Sequence, residues 1–293
     1  METYNVVIYD GECKDPVKDP VIAFDPTSDH FQNHAYKSIE KENAVVTSAP
    51  TGSGKTRIIH YATAYYAKKG QSVAITTPIK ALSNQKYSEL ITDFLPKCKF
   101  NGADGTKLSV GLITGDININ PDADIIIMTT EVLNESLNNF NTKTSNKKTH
   151  LKKSFVERLG CVIFDEAHYF NDEDRGYVWE SILIKLPYHI NVVLVSATFP
   201  NIHDFANKLS NVRKRDISLI IENKRVVPLK HYVFAKELTL IMDNEKFFAK
   251  NYDKSYSTFK SIQDERYKKY KPIMNVSIID KLLNHMKDNN MFP

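Results

Sequence analysis

The chain has 293 residues, 39 Lys and Arg against 35 Asp and Glu, and a net charge of +4, a balance too mild to decide a partner. That length buries one large α/β core or two modest ones, and no apolar run approaches the span of a bilayer. Cys13, Cys98 and Cys161 are too scattered for zinc or a disulfide framework, and Met1-Glu2-Thr3-Tyr4-Asn5 opens no charged-then-apolar leader, so a soluble, intracellular protein without a membrane partner is expected.

Asp15-Pro16 and Asp19-Pro20 are turn-forming pairs, so residues 1–23 are expected as a loop or an extended arm. Past a further turn at Asp25-Pro26, Phe31-Gln32-Asn33-His34-Ala35-Tyr36 opens a helix. Ala44-Val45-Val46 reads as a strand, and Ile58, Ile59, Ala62, Tyr65 and Tyr66 trace one face of a helix. Between them lies Ser48-Ala49-Pro50-Thr51-Gly52-Ser53-Gly54-Lys55-Thr56, a strand-to-helix turn suited to phosphates. Gly52 and Gly54 let backbone N–H groups approach anionic oxygens, the helix start adds partial positive charge and Lys55 adds a full one. Thr56 is placed to give its hydroxyl to Mg²⁺. The general phosphate-loop pattern has Gly where this chain has Ala49, and a turn that binds nothing is the alternative.

Residues 72–76 form a short β-branched strand that runs into Thr77-Pro78-Ile79-Lys80-Ala81-Leu82-Ser83-Asn84-Gln85-Lys86-Tyr87. A helix starting near Ala81 leaves Pro78 and Lys80 at the strand's carboxyl end, where open parallel sheets bind ligands. The strand at 109–112 ends in Ile113-Thr114-Gly115-Asp116, and the strand at 124–128 leads into Thr129-Thr130-Glu131-Val132-Leu133, the start of another helix. Residues 138–153 are polar and basic and read as a mobile surface insertion, with phosphate contact by its lysines as the alternative. The buried-strand pattern at 161–164 ends in Asp165-Glu166-Ala167-His168. There Asp165 is suited to hold Mg²⁺ through water, and Glu166 to polarise the water that attacks a γ-phosphate. A zinc site built on Glu166 and His168 lacks its other ligands. A last apolar strand at 191–195 ends in Ser196-Ala197-Thr198. Strands alternate with helices throughout, which predicts an α/β fold with a doubly wound parallel sheet.

The order of Gln32, Ala49-Pro50-Thr51-Gly52-Ser53-Gly54-Lys55-Thr56, Asp165-Glu166-Ala167-His168 and Ser196-Ala197-Thr198 resembles superfamily II helicases, where Ala is usual at the place of Ala49. The 77–87 stretch, Thr114-Gly115-Asp116 with Asn120-Pro121-Asp122-Ala123, Thr129-Thr130-Glu131-Val132-Leu133 and Asp174-Arg175-Gly176-Tyr177-Val178-Trp179-Glu180 narrow the resemblance to DExH RNA helicases of the superkiller and exosome-cofactor type. The match runs from about Phe24 to Phe234. It implies a RecA-like phosphate-loop domain over residues 24–222, ATP and Mg²⁺ as cofactors, and ATP-driven 3′-to-5′ movement on single-stranded RNA.

By this resemblance, Phe24 stacks on adenine and Gln32 reads its edge; the plainer readings are a core aromatic and a solvated helix residue. Thr51, Gly52, Ser53, Gly54, Lys55 and Thr56 hold phosphates, and Thr56 and Asp165 hold the metal. Lys55, Asp165, Glu166 and His168 form the catalytic set. Pro78, Lys80, Thr114, Gly115, Thr129 and Thr130 follow the nucleic-acid backbone, while Ser196 and Thr198 couple hydrolysis to strand movement. Many relatives carry Val where this chain has Ala167, an apolar swap that leaves the chemistry alone.

Helicases of this superfamily place the ATPase site between two RecA-like domains, the second of which supplies arginines. Here Pro228-Leu229-Lys230-His231-Tyr232-Val233-Phe234 and Leu238-Thr239-Leu240-Ile241-Met242 read as connecting strands, and a final helix carries Ile278, Ile279, Leu282, Leu283 and Met286 on one face. Residues 223–293 are thus expected to lead toward a second RecA-like domain of a longer protein. Two alternatives stand: a DNA helicase or translocase on the same fold, and a catalytically silent scaffold.

Overall fold

The computed structural model describes residues 4–25, 27–141, 151–197, 201–225, 227, 229–243 and 246–267. The chain divides into two compact units, Met1–Lys224 and Arg225–Pro293. In the first, the elements follow in the order β1 (Val6–Tyr9), α1 (His30–Glu40), β2 (Ala44–Ser48), α2 (Thr56–Lys68), β3 (Ser72–Thr77), α3 (Lys80–Glu89), β4 (Val110–Ile113), β5 (Asn118–Ile119), β6 (Ile125–Thr129), α4 (Thr130–Asn141), α5 (Lys153–Glu157), β7 (Leu159–Asp165), α6 (Gly176–Lys185), β8 (Asn191–Ser196), α7 (Ile202–Arg213) and β9 (Ile217–Ile221). Among the described residues these strands form one sheet in the spatial order β1, β9, β2, β8, β7, β3, β6, β4, β5. Neighbours are parallel except at the β4–β5 edge.

Helices cover both faces, so the central strands are buried on both sides and carry continuous apolar runs instead of alternation. Ala74, Ile126, Val162 and Leu194 face one layer, built with Phe155, Trp179, Ile182 and Leu209 from α5, α6 and α7. Val45, Ile75, Ile127, Ile163 and Val193 face the other, built with Phe31, Tyr36, Ile58 and Tyr61 from α1 and α2. The doubly wound α/β sheet expected from the alternation is present.

Two local expectations change. Residues 1–23, read as a loop or arm, contain β1, which pairs with β9 from Val6–Ile217 to Tyr9–Ile220. Parallel pairing between remote segments leaves no turn signal in the sequence, which is why the strand was hidden. The polar stretch at 138–153 is shorter as an insertion than expected. α4 runs through Asn141, and Leu151 together with Phe155 of α5 is buried in the core, while residues 142–150 lie outside the described residues. In the second unit, β10 (Lys230–Phe234) and β11 (Leu238–Asp243) pair antiparallel, β12 (Lys246–Phe247) joins β11, and α8 (Ala249–Tyr267) follows. Asn251 Nδ2 donates to Leu240 O at 2.8 Å, tying the first turns of α8 to β11. The expected helix through Ile278 and Met286 lies outside the described residues. No helix among the described residues is long and apolar enough to cross a membrane.

Candidate nucleotide and nucleic-acid site

β8 lies between β2 and β7, so three expected motifs meet at the carboxyl edge of adjacent strands. Ser48 ends β2 opposite Ser196, and Asp165 ends β7 opposite Val195. The phosphate loop is stapled to the end of β8. Ala49 N donates to Ser196 O at 3.1 Å, and Ser48 Oγ donates to Ala197 O at 2.9 Å. Thr198 lies outside the described residues.

Within the loop, Gly52 (φ 83°) and Gly54 (φ 85°) adopt left-handed backbone that side chains disfavour. A Cβ on Gly52 would stand in open space, whereas one on Gly54 would lie 2.7 Å from Gln32 Nε2. Lys55 Nζ donates back to the carbonyls of Ala49 (2.8 Å) and Pro50 (2.9 Å), and Ser53 Oγ donates to Pro50 O at 2.7 Å. Thr56 starts α2 and is half-buried, while Thr51 is exposed. The open side of Gly52, the loop lysine and the helix start fit a triphosphate. Ser196 Oγ is buried with no hydrogen-bond partner among the described residues, a vacant polar group at the same edge.

Gln32 is 1 % exposed, and its amide is used internally. Its Nε2 donates to Gly54 O at 3.2 Å and its Oε1 accepts from Asp29 N at 3.1 Å, completing a capping box at the start of α1. Gln32 therefore props the phosphate loop here and is no solvated helix residue. Phe24 is half-buried, stacked on Tyr36 at 5.8 Å, with the Arg57 guanidinium 5.5 Å over its ring.

At the end of β7 the chain turns through Glu166, a non-glycine residue in left-handed conformation (φ 55°). Such strain concentrates where a side chain must be aimed. Asp165 Oδ1 accepts from Glu166 N at 3.0 Å, and Glu166 Oε2 lies 3.3 Å from His168 Nδ1. Asp165 Oδ2 lies 3.3 Å from Lys86 Nζ, a group 3.2 Å from Glu89 Oε2 in its own helix. Glu89 Oε1 in turn sits 3.3 Å from His60 Nε2 of α2, a close contact without hydrogen-bond alignment. Burial works against the Lys86 ammonium, but the Asp165 and Glu89 carboxylates outweigh it and hold its pKa above the ordinary lysine value. Burial likewise pushes the Glu89 carboxyl up, but His60 and Lys86 overcome it and keep the group below the ordinary carboxylate range.

The expected nucleic-acid residues occupy the next strands along the same edge, β3, β6 and β4. Lys80 and Gly115 are exposed; Pro78, Thr114, Thr129 and Thr130 are buried. The threonine hydroxyls that bond inward are spent on the fold. Thr114 Oγ1 donates to Asp116 and accepts from Ile117 N, and Thr130 Oγ1 donates to Thr77 O at 3.3 Å. Lys80 Nζ pairs with Asp116 Oδ1 at 2.7 Å.

Sequence reasoning missed two connections at this edge. Lys86 stands in the 77–87 stretch without a role of its own, yet its spacing from Ser83 and Leu90 places it on the buried face of α3 and of the π-helical turn Leu90–Phe94 that extends it. That spacing is a signal, but a weak one, because an internal lysine reads as solvated. Arg175 donates to Pro78 O at 2.6 Å and pairs with Glu131.

The description DEAD/DEAH box helicase matches residues 29–205. The chain is 37 % identical to the Antiviral helicase SKI2 of Saccharomyces cerevisiae over 77 % of its own length and 16 % of that protein's. It is 36 % identical to the human Superkiller complex protein 2 over 85 % and 18 %, and 34 % identical to the ATP-dependent RNA helicase mtr4 of Schizosaccharomyces pombe over 86 % and 21 %. It therefore spans about a fifth of these relatives. The crystal structure of the DUF1998 helicase MrfA bound to DNA superposes with a TM-score of 0.52 at 20 % identity, covering 67 % of this chain and 27 % of that one, a likeness of fold. With the phosphate loop, the Asp165-Glu166-Ala167-His168 turn and the parallel sheet all in place, the chain belongs to the DEAD/DEAH box helicases and matches their superkiller and exosome-cofactor type.

Proposed function

We propose that residues 24–222 are the first motor domain of an ATP-dependent RNA helicase that binds Mg-ATP at the β2, β8 and β7 edge and single-stranded RNA at the β3, β6 and β4 edge. The observation that carries this reading is the stapling of the phosphate loop to the end of β8, one strand away from Asp165 and Glu166. Lys55 would exchange the carbonyls of Ala49 and Pro50 for phosphate oxygens, with Thr51, Gly52, Ser53 and Gly54 supplying the cradle. Thr56 and Asp165 would hold the metal, and Phe24 would stack on the base. Bound Mg-ATP supplies the transferable phosphoryl group and the cation that offsets its charge. Glu166 would orient the attacking water and take its proton, with His168 steadying that carboxylate. Ser196, with Thr198, would pass the state of the site to strand movement.

On the neighbouring edge, Lys80 and the backbone at Gly115 are the groups in reach of phosphates, with Pro78, Thr114, Thr129 and Thr130 shaping the surface beneath. The relatives' names support RNA as the substrate. In the longer protein a second RecA-like domain would complete the ATPase site, and movement would run 3′ to 5′.

The test is a titration of this chain with a fluorescent ATP analogue and Mg²⁺, followed by competition between RNA and DNA strands of equal length at a stated salt concentration. K55A should lose most of the affinity, and E166Q should bind as the unmodified chain does. A folded sample that binds no Mg-nucleotide would make the domain a silent scaffold. Preferential displacement by DNA would reassign the strand it grips.

A further inference from the structure

Lys86 is 8 % exposed, and its ammonium lies between two carboxylates, Glu89 three residues on in its helix and Asp165 at the end of β7. A buried lysine requires a counter-charge, and Glu89 alone meets that need at 3.2 Å within the same helix. The reach to Asp165 is therefore additional, and it has a geometric effect. Asp165 is held on both oxygens, Oδ1 by Glu166 N at 3.0 Å and Oδ2 by Lys86 Nζ at 3.3 Å, so its carboxylate has a fixed orientation. Glu89 is itself steadied from α2 by His60, in the helix that starts at the phosphate loop.

We propose that Lys86 is a positioning residue that fixes the Asp165 carboxylate for the divalent cation accompanying the nucleotide. This rests on the Mg-ATP reading above. Partners that orient a metal-binding carboxylate change metal affinity about 10- to 100-fold when removed. A lysine that merely satisfied Glu89 would leave the metal dependence untouched.

The experiment titrates a fluorescent ATP analogue against this chain with saturating Mg²⁺ and, separately, with EDTA, for the unmodified chain, K86M, K86R, D165N and K86M/D165N. K86M should lose about tenfold of the Mg²⁺-dependent affinity and keep the EDTA value. K86R, which retains the cation, should recover most of the loss. In the D165N background K86M should change nothing further, because two residues acting through one contact are not additive. If K86M alone does not fold, K86M/E89L removes the intrahelical pair together and carries the same comparison. Full Mg²⁺ dependence in K86M, or an undiminished K86M effect on top of D165N, overturns the assignment of Lys86. Absence of Mg²⁺-dependent binding in the unmodified chain instead overturns the nucleotide reading along with it.

Discussion

The Arg175 guanidinium donates to the main-chain carbonyl of Pro78 at 2.6 Å while its Nε donates to Glu131 Oε1 at 3.1 Å. One side chain from the segment before α6 thus joins the end of β3 to the start of α4, the two places flanking the proposed RNA path. Its guanidinium also lies 5.6 Å from the Trp179 ring, which orients the fork. R175M should weaken binding of single-stranded RNA several-fold through displaced backbone at Pro78, with a smaller effect on Mg-nucleotide binding. R175K should restore little of it, since lysine lacks the planar guanidinium fork whose Nε and Nη2 groups reach Glu131 and Pro78 from one rigid plane. Fluorescence anisotropy with a labelled RNA oligonucleotide checks both. RNA affinity unchanged in R175M would mean the bridge serves stability alone.

A second prediction follows from the close approach of Gly54 to Gln32. G54A places a methyl group 2.7 Å from Gln32 Nε2 and imposes left-handed backbone on an alanine, at a cost of about 1–2 kcal/mol. Gln32 must move, and its donation to Gly54 O is lost with it. Nucleotide affinity should fall at least tenfold. Q32A, which removes the prop without the clash, should fall less. Isothermal titration with Mg-nucleotide distinguishes the two, and a G54A chain that binds normally would show the loop to be looser than its contacts indicate.

The phosphate loop was legible because its requirements are local: glycine where φ is positive, a lysine at the helix start and a strand before it. The two-sided burial of β2, β3, β6, β7 and β8 was legible for a similar reason, since continuous apolar runs mark strands covered on both faces. What the sequence hid depends on contacts between remote segments. β1 pairs with β9 across nearly the whole first unit, and Lys86 meets Asp165 only because the sheet order sets β3 beside β7. The buried state of Thr114 and Thr130 was equally hidden, because a threonine at a strand end gives no sign of whether its hydroxyl faces water or a neighbouring carbonyl.

Asp116 occupies Lys80, the exposed cation at the proposed RNA edge. A strand phosphate must displace that carboxylate to reach the ammonium, so D116N should tighten RNA binding about two- to fivefold at low salt and steepen its salt dependence. Mild acidification should not mimic the mutation. The Lys80 and Thr114 hydrogen bonds hold the Asp116 carboxyl below its ordinary value of 3.8. A carboxylate with depressed pKa keeps its contact above the ordinary value and loses it only as pH falls through the lowered one. RNA affinity between pH 5 and 8 should therefore carry no step from this pair, and a step in the unmodified chain that D116N removes would contradict the assignment.

Burial pushes the Cys98 thiol from 9.0 to about 12, and pushes Cys161 upward as well. The thiolate is the reacting form, so the Cys98 rise alone cuts it about 1,000-fold at pH 8. Iodoacetamide should label Cys98 and Cys161 far more slowly in the folded chain than in urea, and raising the pH from 7 to 9 should increase the folded-state rate without saturating it. Site-resolved mass spectrometry provides the measurement. Rapid native labelling of Cys161 would place it outside the β7 core.

Arg213 closes the far end of the first unit and offers the sharpest stability test. It is 2 % exposed and donates to four main-chain carbonyls, those of Leu183 (2.9 Å), Leu186 (2.6 Å), Pro187 (2.8 Å) and Ile190 (2.8 Å). These acceptors lie at the end of α6 and in the turn before β8, where carbonyls have no helical partner. Burial pulls the guanidinium down to about 10, still far enough above neutrality to keep it a cation with all its donors. R213M fills similar volume but removes these four donations, leaving Pro187 O only its turn bond from Ile190 N, so it should lower the unfolding free energy by about 3 kcal/mol or more. R213K retains charge but not the fork and should recover less than half of the loss. Urea denaturation gives both values. Because β8 carries Ser196 at its other end, R213M should also loosen the staple to Ala49, seen as faster amide exchange at the phosphate loop; a stability loss with unchanged exchange there would confine the effect of Arg213 to α6.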